Sequence, residues 1–182
     1  MLESVKSALL IVDMINTLEF PEAKELLKSA RPAAQKIAAL KRRFKQAKLP
    51  VIYVNDNYGA WSADWKAIYK KCAAPESLGH ELARELKPEE GDLFVLKPRH
   101  SGFHETPLEI LLRDLKVKRV VVTGIAGNIC VLFTAHDAHM RGFEVVVPKD
   151  CMASNTKVLN THALSQLKEG LKINTPLSTH LP

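Results

Sequence analysis

Five short apolar runs, rich in β-branched residues, recur along the chain and each ends in polar or turn-forming positions. They are "ALLIVD" (8–13), "VIYVN" (51–55), "LFVLK" (93–97), "RVVVTG" (119–124) and "EVVVPKD" (144–150). Between them the apolar positions shift to a spacing of three and four, over 31–48, parts of 62–86, 106–115, 129–141 and 156–169, which predicts helices. "LKINT" (171–175) reads as a sixth, shorter strand. In "IAALKRRFKQAK" the residues Ile37, Leu40, Phe44 and Ala47 share one helix face, which places the lysines and arginines of 41–48 on the solvent side.

Strands that are apolar on both faces and alternate with helices predict a parallel sheet covered on each side. With right-handed crossovers, the expected architecture is a three-layer α/β/α sandwich around a mainly parallel five- or six-stranded sheet. No internal repeat or low-complexity linker interrupts the pattern, so one domain is expected over residues 1–182.

Composition excludes several classes. With 46% hydrophobic and 25% charged residues the chain is expected to be globular rather than disordered. No apolar run reaches the roughly 18 residues of a bilayer span, so no membrane partner is expected. "MLESVKSALLIVDM" reads as a first strand rather than a signal peptide, because its apolar stretch ends at Asp13 without a small-residue cleavage site. Cys72, Cys130 and Cys151 form no CxxC pair; this suits a reducing cytoplasm and argues against a disulfide framework or a thiolate zinc site. The net charge of +6 raises the question of nucleic acid, but the basic residues are dispersed and no nucleic-acid motif accompanies them. His136 and His139 lie three apart without an evident third ligand, and read as surface or interface residues. "GIAGNIC" lacks the spacing of a dinucleotide fingerprint.

Strand direction then selects the candidate chemistry. In an open parallel sheet, ligands bind beyond the carboxyl ends of the strands. Asp13 closes the first strand, Lys97 closes the third, and Cys130 follows the fourth across the "GIAGNI" turn. Each alone has an ordinary structural reading as a turn cap, a solvated lysine or a packed thiol. Their placement at one sheet edge points instead to acyl transfer through a thiol. A helix start at Cys130 and the Lys97 ammonium would favour the thiolate over a free thiol, whose ordinary pKa is about 8.5. Asp13 would accept the thiol proton and pass it to a leaving group. Gly124 and Gly127 let the backbone approach closely, so amides near Ala126 and Cys130 are candidates for an oxyanion hole. Phe20, Trp61 and Phe103 are expected to wall a pocket for a small-molecule substrate. Cys72 and Cys151 read as inert.

The segments "IVDMIN", "VLKPRHSGFHETPLEILL" and "TGIAGNICVLFTAHDAHMRGFEVVVPKDCMAS" closely resemble the isochorismatase-like cysteine hydrolases, over about residues 7–170. The resemblance implies an Asp–Lys–Cys triad at Asp13, Lys97 and Cys130, on the isochorismatase-like hydrolase fold. It also implies a cis peptide at Ile125–Ala126 that turns a backbone N–H toward the substrate oxyanion, and assembly as a homodimer or homotetramer. Three departures stand out. Ile15 occupies a place where many members have glutamine. "VNDNYGAWSADW" holds Asp56 but no histidine, where the family's nicotinamidases carry an aspartate and histidines as a metal site. No metal and no cofactor are therefore expected, and nicotinamide is a poor candidate substrate. His100 stands where tyrosine is frequent, among the expected pocket contacts. The expectation is a metal-independent cysteine hydrolase of a small amide or related carbonyl compound, working through a thioester. An isochorismatase-type vinyl ether hydrolase and a catalytically idle binding domain are the alternatives.

Overall fold

The computed structural model describes residues 5–62 and 64–182. Among them six strands, β1 (Ser7–Val12), β2 (Val51–Asp56), β3 (Leu93–Lys97), β4 (Arg119–Ile125), β5 (Glu144–Val146) and β6 (Met152–Ala153), form one sheet. The order is β3-β2-β1-β4-β5, with β6 paired to the end of β4, and every pairing is parallel. The helices that accompany them are α1 (Ala23–Gln46), α2 (Trp65–Cys72), α3 (His80–Glu85), α4 (Leu108–Asp114), α5 (Leu132–Met140) and α6 (Lys157–Ser165).

The strands are apolar on both sides because successive side chains enter two different cores. Leu9 and Ile11 of β1 join Tyr53 and Val121 beneath α1 and α3. Ala8, Leu10 and Val12 join Ile52, Val54, Val120 and Val122 beneath α4, α5 and α6. Each large aliphatic side chain so removed from water contributes about 1.5–3 kcal/mol. Three layers follow from that alternation.

The elements differ from the sequence expectation where a local group overrides the pattern. α1 begins at Ala23 rather than near residue 31, and Pro32 lies inside it. Proline ordinarily suits a first helical turn; here packing of Leu26, Ala30, Ala33, Ile37, Leu40 and Phe44 along one stripe outweighs the lost hydrogen bond. Lys41 is not on the solvent side. It is buried, with its ammonium 2.7 Å from the Asp92 carboxylate and 2.8 Å from the Lys87 carbonyl, which satisfies the charge. Ala47 is exposed because it lies at the helix C-cap. β5 stops at Val146, two residues before Pro148, which has no N–H to give a ladder. "LKINT" makes only a single bridge, Asn174 to Val146, and the sixth strand is Met152–Ala153 instead.

Register sets the site. Val12 lies opposite Val54 on one side and Gly124 on the other, and Asp56 lies opposite Lys97. The carboxyl ends of β1, β2, β3 and β4 are therefore close together, around the β1/β4 point where the strand order reverses. Among the described residues no helix is long and apolar enough to cross a membrane.

Candidate active site

Asp13 is the first residue beyond β1 and has φ 51°, in the left-handed region that aspartate tolerates better than most residues. Its N–H donates to the Val54 carbonyl at 3.1 Å, so the turn is anchored on the neighbouring strand. One carboxyl oxygen accepts the Asp56 N–H at 2.8 Å. The other lies 2.8 Å from the Lys97 ammonium. Lys97 is itself fully buried, and its ammonium also reaches the Arg99 carbonyl at 3.2 Å, Asp56 at 3.6 Å and the Cys130 sulphur at 3.6 Å.

Cys130 is brought there by two glycines. Gly124 has φ +119°, and a Cβ on it would stand 2.0 Å from the Val12 carbonyl oxygen, so only glycine lets β4 pass β1 at this level. A Cβ on Gly127 would come within 2.5 Å of Met152 and 2.9 Å of the Ser154 hydroxyl. Between them the Ile125–Ala126 peptide is cis, as the resemblance implied. The chain then makes a π turn over Gly127–Val131, with the Ile129 and Val131 N–H groups both donating to the Ala126 carbonyl, before α5 begins. The thiol is therefore inside a π turn rather than at a regular helix N-terminus.

That environment corrects the expectation of a resting thiolate. Burial is the largest influence on the Cys130 thiol and pushes it up to about 12; the Asp13 carboxyl adds to the shift, and Lys97 offsets only part of it. Burial also raises the Asp13 carboxyl above its ordinary value, against the lowering effect of Lys97. For Lys97, burial works downward, but Asp13, Cys130 and Asp56 together hold the ammonium above its usual value. The resting site thus pairs a neutral thiol with a buried ammonium and carboxyl.

The loop after β3 adds His100, whose Nδ1 lies 4.0 Å from the Cys130 sulphur and whose ring lies along Phe133 of α5. His100 lines a cleft of about 540 Å³ with Asp56, Trp61, Arg99 and His104. Trp61 stands at its rim, 83% exposed. Phe20 lines a second cavity of about 500 Å³, with Thr17, Tyr58 and Ile68; Asn57 lines both. Phe103 does not wall a pocket. It is 5% exposed and packs in the core against Phe143, with the Arg141 guanidinium 5.1 Å from its ring centre.

Two supports escaped the sequence reading. Asp56 closes β2 directly opposite Lys97 and donates its N–H to Asp13; aligning the ends of the second and third strands would have revealed it. Asn55 and the Tyr58 hydroxyl both donate to the Ile15 carbonyl at 2.9 Å, which fastens the loop after Asp13. Ile15 itself is buried in the core. His136 and His139 are both exposed on α5. Cys72 and Cys151 are buried, and burial pushes their thiols up to about 11 and about 12.

The described residues after β2 do not compose a metal site. Asp56 spends one carboxyl oxygen on the Tyr58 N–H at 2.6 Å and turns the other to Lys97. Among the described residues no three His, Cys, Asp or Glu side chains gather closely enough to hold an ion.

Comparison with known proteins agrees with this fold. A model of the isochorismatase domain matches residues 7–180. The uncharacterized isochorismatase family protein YaaI of Bacillus subtilis (strain 168) is 45% identical over 164 residues, 90% of each chain. An isochorismatase family protein from Desulfovibrio vulgaris subsp. vulgaris str. Hildenborough superposes with a TM-score of 0.78 at 24% identity, over 97% of this chain and 96% of that one. N-carbamoylsarcosine amidase from Thermoplasma acidophilum gives a TM-score of 0.72 at 27% identity, over 97% and 99%. The chain belongs to the isochorismatase family and is a hydrolase of that family.

Proposed function

We propose that this hydrolase cleaves the C–N bond of a small amide or related carbonyl compound through a thioester on Cys130. One observation carries the reading: a single buried ammonium, Lys97, lies 2.8 Å from the Asp13 carboxyl and 3.6 Å from the Cys130 sulphur. Residues from three strand ends are held in one contact set, and such a set costs desolvation that ordinary packing does not require. The likeness to N-carbamoylsarcosine amidase supports a C–N bond as the target.

The steps follow from the protonation states. The thiol is neutral at rest, so attack and deprotonation are coupled: sulphur adds to the carbonyl carbon while its proton passes to Asp13. Lys97 offsets the negative charge as it leaves the carboxylate and develops on the carbonyl oxygen. Backbone N–H groups of Ala126 and Cys130 meet the developing oxyanion, where water-excluded donors are most effective. The amine departs with the proton from Asp13, and water then hydrolyses the thioester. No metal or cofactor takes part, and the partner is a small molecule in the cleft beside His100 and Trp61.

One feature favours a second reading. Burial holds the Asp13 carboxyl above its ordinary range, which also suits an acid that protonates a vinyl ether directly. In that chemistry the cysteine is dispensable. A panel of small amides, carbamoyl compounds and isochorismate, assayed with wild type, Cys130→Ala and Asp13→Asn, separates the two. Amide turnover that needs both residues supports the thioester; isochorismate turnover that needs only Asp13 supports the vinyl ether reading.

A further inference from the structure

Asp56 and Lys97 stand opposite each other at the ends of β2 and β3, and residues just beyond them line one cleft. Asn57 follows Asp56, and its backbone N–H donates to the Lys97 carbonyl at 3.1 Å. Its backbone carbonyl accepts the Ala60 N–H at 3.0 Å, and its side-chain Oδ1 accepts the Gly59 N–H at 2.9 Å. That last bond fixes the orientation of the amide, because a backbone N–H needs oxygen rather than nitrogen as its partner. The remaining polar atom, Nδ2, donates to no acceptor among the described residues, although Asn57 is only 7% exposed. A donor left open at so buried a position costs stability unless something occupies it. Asn57 lines both the cleft beside His100 and the cavity beside Phe20, so the open donor belongs to the wall around the substrate. Arg99 lines the same cleft from the β3 side. Its carbonyl holds the Lys97 ammonium at 3.2 Å, while its guanidinium donates to the Pro98 carbonyl and pairs with no acid among the described residues. Two acids share the cleft. Asp56 is engaged by the Tyr58 N–H and Lys97, and Glu105 is exposed, where water screens its charge.

We propose that Asn57 and Arg99 select the substrate, and that they read a carboxylate carried beside the scissile amide. The proposal deepens the thioester reading above and rests on it for where the reacting carbonyl lies. The unspent ends of both residues are donors only, and the buried one decides the sign of the group they want. A carboxylate accepts from both at once, since the guanidinium offers a fork of N–H groups and the Asn57 amide offers more. A carboxamide in its place would turn an NH2 group toward these donors and leave one of them unmatched. The substrate class is therefore a small carboxylic acid that bears an amide or carbamoyl group.

The test measures ammonia release from the monoamides of malonic and succinic acids and from N-carbamoylglycine. Each is set beside the analogue that carries a neutral carboxamide in place of the carboxylate. Wild type should favour the best carboxylate substrate over its neutral analogue by at least about tenfold in kcat/KM. Arg99→Gln should lower that value at least about tenfold, mostly through KM, and leave the neutral analogue within about twofold. Asn57→Asp keeps an acceptor for the Gly59 N–H but replaces the open donors with an oxygen, so it should reverse the preference. Arg99 is exposed, so Arg99→Gln should melt with the wild type, and it decides the matter alone if thermal unfolding shows that Asn57→Asp does not fold. A wild type that turns over both forms equally, or neither, would overturn the proposal, as would variants that lose both forms in step. Failure of the thioester reading looks different: Cys130→Ala would then hydrolyse the carboxylate substrate as fast as wild type, with the same preference, and the selection would stand without the nucleophile.

Discussion

The Lys97 ammonium and the Asp13 carboxyl meet at 2.8 Å with side chains 0% and 6% exposed, at the ends of two strands separated by β2. A pair so buried is held by mutual compensation. Removing one member leaves the other in a poor solvent, at a cost of about 3–5 kcal/mol. Lys97→Met should therefore destabilise the fold by that order in urea unfolding. Lys97→Met combined with Asp13→Asn should recover more than half of the loss. Strictly additive losses would contradict the pairing.

The thiol offers a test with opposite signs for two readouts. Because burial and Asp13 push Cys130 up to about 12, only a small fraction is thiolate at neutral pH. Alkylation by iodoacetamide should rise about tenfold per pH unit between about pH 6 and 9, with no plateau. Asp13→Asn removes the negative charge that helps hold the proton on sulphur. That variant should alkylate faster than wild type at neutral pH while losing turnover. Slower alkylation of Asp13→Asn, or a wild-type plateau near neutrality, would refute the electrostatics. Cys72 and Cys151, both buried, should stay unlabelled while the protein is folded.

Much of this arrangement was legible in the chain, and the gaps have physical causes. The apolar runs marked β1, β2 and β4 because each is buried on both faces, as Leu10 and Ile11 illustrate on adjacent positions, while the edge strand β3 is only partly buried. Parallel direction alone then placed Asp13, Lys97 and Cys130 at one edge. The thiol's protonation was not legible, since a strand-end position says nothing of desolvation. Nor was the fate of Phe103: it follows Ser101 and Gly102 in an irregular loop, where no periodicity tells inside from outside. Lys41 was misplaced for a related reason. Helical periodicity gives the face of a residue but not the buried carboxylate, Asp92, that makes burial of a lysine tolerable.

Gly124 ties the fold to the site. Its φ of +119°, and the 2.0 Å that would separate an added Cβ from the Val12 carbonyl oxygen, leave no room for a side chain. Gly124→Ala should cost about 3 kcal/mol or more, from backbone strain and displacement of β4 together. Chemical denaturation measures it, and a loss below about 1 kcal/mol would show that the strands part easily here.

Chelation probes the loop after β2. With Asp56 engaged by Tyr58 and Lys97, the described residues offer no ready ligand set there. Turnover should survive exhaustive dialysis against EDTA without change. Loss of activity that zinc, iron or manganese restores would show that a metal belongs to the site.

The central claim is that Cys130 attacks a carbonyl. The most direct measurement is the turnover of Cys130→Ala on the best substrate, set beside Asp13→Asn. Without the nucleophile, the acid and the oxyanion donors have nothing with which to form an acyl-enzyme. Cys130→Ala should fall at least about a thousandfold, on the order of 4 kcal/mol in the barrier, and Asp13→Asn should fall comparably. A Cys130→Ala enzyme that stays nearly active while Asp13→Asn is dead would contradict the thioester account and leave proton donation by Asp13 as the chemistry.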